Sequence, residues 1–339
     1  MRYRDAGVDL DQADQLVELI KRLNPKGRAQ IGPFAGLFEL TAILQEYTDP
    51  VLVSSTDGIG TKTRIALEYR RFDGLGQDLV AMNVNDLVCL GAKPLFFLDY
   101  YATAQLDLEM SREIFAGLVR ACDEAGCVLI GGETAQLRDL FVRVDDFELV
   151  GFVVGIVERS QIPNPERVEP GDVLIGLAAS GPHCNGFSLI RKIIEKEKLD
   201  LRKIYREAGE RPLGELLLEP MPIYSNVVLR LFERFSVKGA AHITGGGISG
   251  NLVRALNDRV NAVVHRGSWP IPQLFRALQS WGEVPEDELW EVFNMGLGFI
   301  AIVPQGQADA VLQFLESQGQ RAYRVGEITS GTGGVVIKN

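Results

Sequence analysis

Between Gly74 and Gly91 the apolar residues Leu75, Leu79, Met82 and Leu90 recur on one stripe of a helix, and Asp86 falls on that same stripe. A helix so patterned must bury its stripe against another layer, which commits the chain to a packed core of helices on something else. It also carries a carboxylate into that core, and an unpaired buried charge is costly. Two readings stay open. Asp86 pairs with a Lys or Arg, or lies at the edge of the stripe near the helix end; or it points into a site that holds a cation.

The layer that receives the helix is legible as short apolar runs. Val51–Val53, Leu95–Tyr101, Val128–Ile130 and Phe147–Val157 read as strands, and Asp9–Arg22 and Leu108–Ala125 as helices. Two Pro-containing turns, Ile162-Pro163-Asn164-Pro165 and Glu169-Pro170-Gly171-Asp172, mark a boundary. Beyond it come strand Val173–Ala179, helices over 186–197, 222–235, 248–256 and 272–281, and a closing strand (298–303), helix (307–318) and strand (322–328). At about 150 residues per domain, 339 residues suit two domains, 1–162 and 163–339, of α+β or α/β class.

Composition removes other classes. Lys and Arg number 35 against 45 Asp and Glu, a net charge of −10, so the chain lacks the basic surplus of a nucleic-acid binder. No apolar run approaches the roughly 20 residues of a membrane span. The four cysteines form no CxxC pair, and the first residues carry no apolar leader, so a reduced, cytoplasmic enzyme is expected.

Two further acids resemble Asp86 in setting. Asp57, in Thr56-Asp57-Gly58, and Glu133, in Gly131-Gly132-Glu133-Thr134, each follow a predicted strand where glycines permit a sharp turn. Together Asp57, Asp86 and Glu133 offer hard oxygens for a Mg²⁺ ion on phosphates; Asn83 adds a neutral oxygen, and Asp78 is a weaker fourth acid. The chain has no GxxxxGK[ST] loop and no strand-linked GxGxxG. Gly58-Ile59-Gly60-Thr61-Lys62 is the nearest relative, with exposed amides and a point charge for phosphate, or else a plain surface turn. Gly245-Gly246-Gly247, ahead of a helix, reads equally as an anion cradle or a flexible connector. The basic Lys26-Gly27-Arg28 loop either closes over a nucleotide or is simply solvated. Of the three histidines, His265 reads as surface, His242 as core, and His183, in a strand-to-helix turn with Ser180 and Asn185, as a proton carrier or phosphoryl partner. Its neighbour Cys184 reads as packing.

These motifs, with Tyr3-Arg4-Asp5-Ala6-Gly7-Val8-Asp9, Gly91-Ala92-Lys93-Pro94-Leu95-Phe96-Phe97-Leu98-Asp99-Tyr100-Tyr101 and Phe293-Asn294-Met295-Gly296, resemble the phosphoribosylformylglycinamidine cyclo-ligase (aminoimidazole ribonucleotide synthetase) family nearly end to end. The run Asp86-x4-Gly91-Ala92-x-Pro94 is similar to a signature of a wider ATP-using superfamily that includes selenophosphate synthetase and thiamine-monophosphate kinase. The resemblance implies a homodimer whose N-terminal mixed-sheet domains pair into a shared barrel, with a C-terminal α/β domain. It implies ATP and Mg²⁺ on the N-terminal domain, with formylglycinamidine ribonucleotide as substrate. Asp57, Asp86 and Glu133 would hold the metal. Lys26, Gly58, Gly60, Thr61, Lys62, Asn83 and the 245–247 glycines would contact nucleotide or substrate phosphate, and His183, Lys62 and Asp57 would serve catalysis. Three stretches depart from the family pattern: Ile31–Gly36 has fewer glycines, Gln136-Leu137-Arg138-Asp139 replaces Glu-Met-Pro-Gly, and Met221-Pro222 replaces Thr-Arg. They leave open a related phosphoryl-transfer enzyme with another acceptor.

Overall fold

The computed structural model describes residues 8–27, 31, 32 and 34–339. Residues 3–7 of the N-terminal motif, Arg28 of the basic loop and Pro33 of the stretch after it lie outside the described residues. The backbone gathers into two compact units, one ending at Ser160 and the other formed by Val88–Gly91 with Gln161–Asn339.

The first unit runs α1 (Leu10–Leu23), α2 (Thr41–Leu44), β1 (Pro50–Gly58), α3 (Lys62–Tyr69), α4 (Leu75–Val88), β2 (Lys93–Thr103), α5 (Leu108–Ala125), β3 (Val128–Gln136) and β4 (Phe147–Glu158). Local chemistry sets the helix limits. Asp9 caps α1 through the Gln12 amide, Asp107 caps α5 through the amides of Glu109 and Met110, and Gly126 ends α5 at φ 78°. The four strands order β1-β4-β2-β3, with only β2 and β3 parallel. Their alternation makes one face the core: Phe97, Tyr101, Leu149 and Val153 are buried there. Helix α4 packs on this face closely enough that a Cβ on Gly151 would lie 2.5 Å from Asn83, and one on Gly155 would lie 2.5 Å from Leu87.

The other face presents apolar side chains to solvent: Leu52 is 59% exposed, Phe152 38% and Tyr100 39%. One register row crosses the whole sheet on the helix-covered side. In it Asp57 on β1 faces Gly151 on β4, which faces Asp99 on β2, which faces Gly132 on β3.

The second unit holds β5 (Val173–Ala178), α6 (Phe187–Glu197), α7 (Leu213–Leu217), α8 (Ser225–Arg234), β6 (Gly239–His242), α9 (Gly247–Leu252), β7 (Val260–His265), α10 (Gln273–Gly282), α11 (Glu286–Val292), β8 (Leu297–Val303), α12 (Ala308–Ser317), β9 (Ala322–Ser330) and β10 (Val335–Lys338). Its sheet orders β10-β7-β9-β5-β8-β6, and only β10 and β7 run parallel, so the unit is α+β in its pairing. Strand β8 is buried along its full length. Among the described residues no helix is long and apolar enough to cross a membrane.

Candidate functional site

The acids do not stand where the sequence pattern puts them. Helix α4 is buried on nearly all sides from Leu79 to Asn85, and Asp86 is its first exposed residue thereafter. Leu87 and Val88 beyond it are buried again, Leu87 against Gly155 of β4, so Asp86 lies on the edge of the covered side near the helix end. The buried acid of α4 is Asp78, and its charge is matched by Lys62 on α3: Nζ lies 2.6 Å from Oδ2, with neither side chain exposed. Lys62 is accordingly an internal cation rather than a surface-turn contact for phosphate.

Asp57 and Glu133 lie within strands, not after them. Pairing with β4 continues β1 to Gly58, and pairing with β2 continues β3 to Gln136. Asp57 is on one outer strand and Glu133 on the other, about 14 Å apart at the usual spacing of three strand steps. Their side chains also leave opposite faces, since Glu133 aligns with Tyr100 and Asp57 with the row through Asp99. Among the described residues no group of three His, Cys, Asp or Glu is placed to hold a metal ion. The expected convergence of Asp57, Asp86 and Glu133 on one ion is not formed within the single chain.

Around Asp57 there is nonetheless a polar centre. Its Oδ1 accepts from the Gly58 amide at 2.7 Å. Asn83 donates to the Asp57 carbonyl at 3.3 Å, while Asn83 Oδ1, fully buried, has no donor among the described residues. Such an orphan acceptor beside a carboxylate fits a hard cation. Glu148 on β4 accepts from the Gly60 amide at 2.9 Å. Burial pushes its carboxyl above the ordinary range; backbone hydrogen bonds from Gly60, Ile59 and Leu149 oppose this, and the Asp57 charge adds to it. Both glycine-loop amides expected to meet phosphate are therefore held by carboxylates. Nothing in the sequence marks Glu148, which reads as an ordinary polar position in an alternating strand.

At the opposite edge of the sheet two adjoining cavities, of about 310 and 730 Å³, share Ile31, Gly32, Asp99, Gly131, Gly132 and Glu133. Asp99 is only 8% exposed. Burial pushes its carboxyl up to about 8, its own backbone amide lowers it, and Glu133 adds repulsion. The sequence did carry a signal here, a lone acid inside the apolar run Leu95–Tyr101. Lys26 is exposed and paired with Asp123 at 2.8 Å. Gln136, at a departure from the family pattern, ties β3 to α1, accepting from the Asp9 amide at 3.0 Å and donating to the Asp9 carbonyl at 2.9 Å.

In the second unit the three motif loops meet. Asn294 donates to the Gly181 carbonyl at 2.9 Å, and a Cβ on Gly245 would lie 3.4 Å from Asn185 Oδ1. Asn251 donates to the carbonyls of Thr244, Gly245 and Gly247, so the glycine loop is pinned rather than a flexible connector. Gly247 (φ 62°) could not carry a Cβ, which would fall 2.0 Å from the Trp290 carbonyl. Gly245 and Gly246 are exposed, and Asn185 Nδ2 is buried without a hydrogen-bond partner. His183 takes left-handed backbone (φ 61°) and is fully buried, its ring lying over Gly298 with the Tyr224 hydroxyl, which donates to the Ala178 carbonyl. Burial also pushes the Tyr224 hydroxyl up.

Two family models match this arrangement: AIR synthase related protein, N-terminal domain, over residues 40–157, and its C-terminal domain over 169–339. The fold and its motif loops thus define an AIR synthase related protein. Thiamine-monophosphate kinase from Stenotrophomonas maltophilia K279a superposes with a TM-score of 0.67 at 21% identity, over 95% of each chain. The hydrogenase maturation protein HypE in complex with ATP superposes at 0.68 and 18% identity, over 96% of this chain and 90% of that one. A phosphoribosylformylglycinamidine cyclo-ligase of Anaeromyxobacter sp. (strain Fw109-5) is 48% identical over 98% of this chain and 97% of its own. One of Cupriavidus taiwanensis is 46% identical over 97% of this chain and 93% of its own. The chain belongs to the phosphoribosylformylglycinamidine cyclo-ligase family.

Proposed function

We propose that this chain is a cytoplasmic, homodimeric ligase of purine biosynthesis. It closes the imidazole ring of formylglycinamidine ribonucleotide to give aminoimidazole ribonucleotide, with ATP converted to ADP and phosphate. The near end-to-end identity with the cyclo-ligases carries this reading.

The chemistry suits the residues. An amide oxygen leaves poorly, so the γ-phosphoryl group of ATP passes to it and forms an iminophosphate. The neighbouring nitrogen attacks that carbon, and the C–O bond breaks with release of phosphate. Phosphoryl transfer asks the protein chiefly for positioning and charge neutralisation. Mg²⁺, when bound, supplies that neutralisation, and Asp57 with the orphan Asn83 Oδ1 would hold it. The Gly58–Gly60 amides would serve the phosphates once Glu148 gives up the Gly60 amide. Exposed Gly245 and Gly246, with the Asn185 amide, suit the substrate's own phosphate. Lys62 is neutralised by Asp78, and His183 has no exposed surface.

Release of ADP, measured with Mg-ATP and each acceptor in turn, tests the assignment. Turnover with formylglycinamidine ribonucleotide is expected. Turnover only with thiamine monophosphate or another acceptor, or nucleotide binding without turnover, overturns it.

A further inference from the structure

We propose that Asp99 recognises ligand: reaching across the gap that Gly132 leaves in the edge strand, its carboxyl group accepts a hydrogen bond from a planar N–H donor group seated in the cavity between α1 and β3. This rests on the reading of the chain as an ATP-dependent cyclo-ligase and deepens it.

Asp99 stands on an inner strand, yet it lines a cavity at the sheet's edge. The residue beside it on β3 explains how. A Cβ on Gly132 would lie 2.2 Å from Asp99 Oδ1, so the carboxyl lies flat over a position where only glycine fits. Gly132 is therefore a strand glycine that opens a path, not a turn glycine.

The cavity has apolar walls: Ala13, Val17 and Ile20 on α1, and Leu129 on β3. Such walls accept a flat ring and exclude water. Among the described residues, the charged and hydroxyl side chains lining it are Asp14, Asp99, Glu133 and Thr134, with no Lys, Arg or His. A phosphate would meet repulsion there, whereas a group presenting N–H donors would find acceptors. Two molecules in the proposed reaction carry the required chemistry, the adenine of ATP through its exocyclic amine and formylglycinamidine ribonucleotide through its amidine.

Asp99→Leu, similar in size and apolar, removes the acceptor. Titration calorimetry with ADP and with the 6-desamino purine riboside diphosphate reads one arm, and KM for formylglycinamidine ribonucleotide at saturating ATP reads the other. If the cavity holds the base, the variant binds ADP at least tenfold more weakly while binding the desamino analogue as the wild type does. If it holds the amidine, ADP binding stays and KM rises at least tenfold. Gly132→Ala, whose methyl group displaces the carboxyl, must move the same constant in the same direction. ADP affinity and KM both unchanged in a folded Asp99→Leu protein overturn the proposal. A wild-type chain that binds ADP but never turns over would sink the cyclo-ligase reading alone, because the ADP titration needs no turnover.

Discussion

Asp99 is held near neutrality by burial, and that has a consequence for stability apart from any ligand. An unfolded aspartate titrates near 4, whereas the folded one titrates at about 8. Between these values the native state keeps a proton that the unfolded state releases. The contribution of this group is complete below about pH 4 and is lost as pH rises through about 8. Wild-type stability should therefore fall from pH 5 to pH 8 by roughly a kcal/mol or more per pH unit on account of this residue. Asp99→Asn, which cannot ionise, should abolish that slope. Tm measured across the range in both proteins checks this, and parallel curves would show that Asp99 is ionised at neutral pH in the native state. Glu148 and Asn83 belong to the same scale. Asn83 is buried on the helix side of β1, whereas Glu148 is half-buried beside the Gly60 amide on the opposite side, so the polarity of this end of the sheet comes from both faces.

Helices α3 and α4 are joined by the Lys62–Asp78 pair, which is wholly internal. Removing one partner of a buried pair leaves the other charge uncompensated, at a cost of about 3–5 kcal/mol. Lys62→Met should lower stability by that amount, and Lys62→Met with Asp78→Leu should recover most of it, as read by urea unfolding. Equal losses in the single and double variants would mean that the pair acts through packing alone. The same pair shows where the sequence was legible. Helix α5 was read to the residue, and α1 to within one, because their periods are clean and Asp107, Gly126 and Asp9 mark their ends. Helix α3 and the ends of β1 and β3 were not read. The glycines and acids at 57–60 and 131–133 carry turn chemistry, and only pairing with β4 and β2 overrides it. For the same reason the pattern puts Asp86 on the core-facing stripe and Asp78 on an adjacent face, whereas Asp78 is the buried one: a stripe gives the direction of a core but not how far round the helix the neighbouring elements reach.

At the scale of the whole molecule the outstanding feature is a four-stranded sheet with one face covered by helices and the other apolar and exposed. Leu52, Tyr100 and Phe152, on three adjacent strands, are exposed on that face, and single chains seldom leave large apolar side chains of a sheet face bare. A second copy applying the same face would cover it by twofold symmetry, each sheet continuing the other's curvature toward a closed barrel. The acids favour this arrangement too, because Asp57 and Glu133 stand on opposite edges of one sheet, and among the described residues of the single chain no three acids are placed to hold a metal ion. Leu52→Glu and Phe152→Glu each put a charge on the face such an interface would bury, where an unpaired carboxylate is strongly disfavoured. Sedimentation velocity at micromolar concentration should show a dimer for the wild type and a shift to monomer for each variant. ADP release should fall with the dimer fraction and recover partly as protein concentration is raised. A wild-type chain that sediments as a monomer while turning over at full rate would remove the second copy from the mechanism and leave the exposed face unexplained.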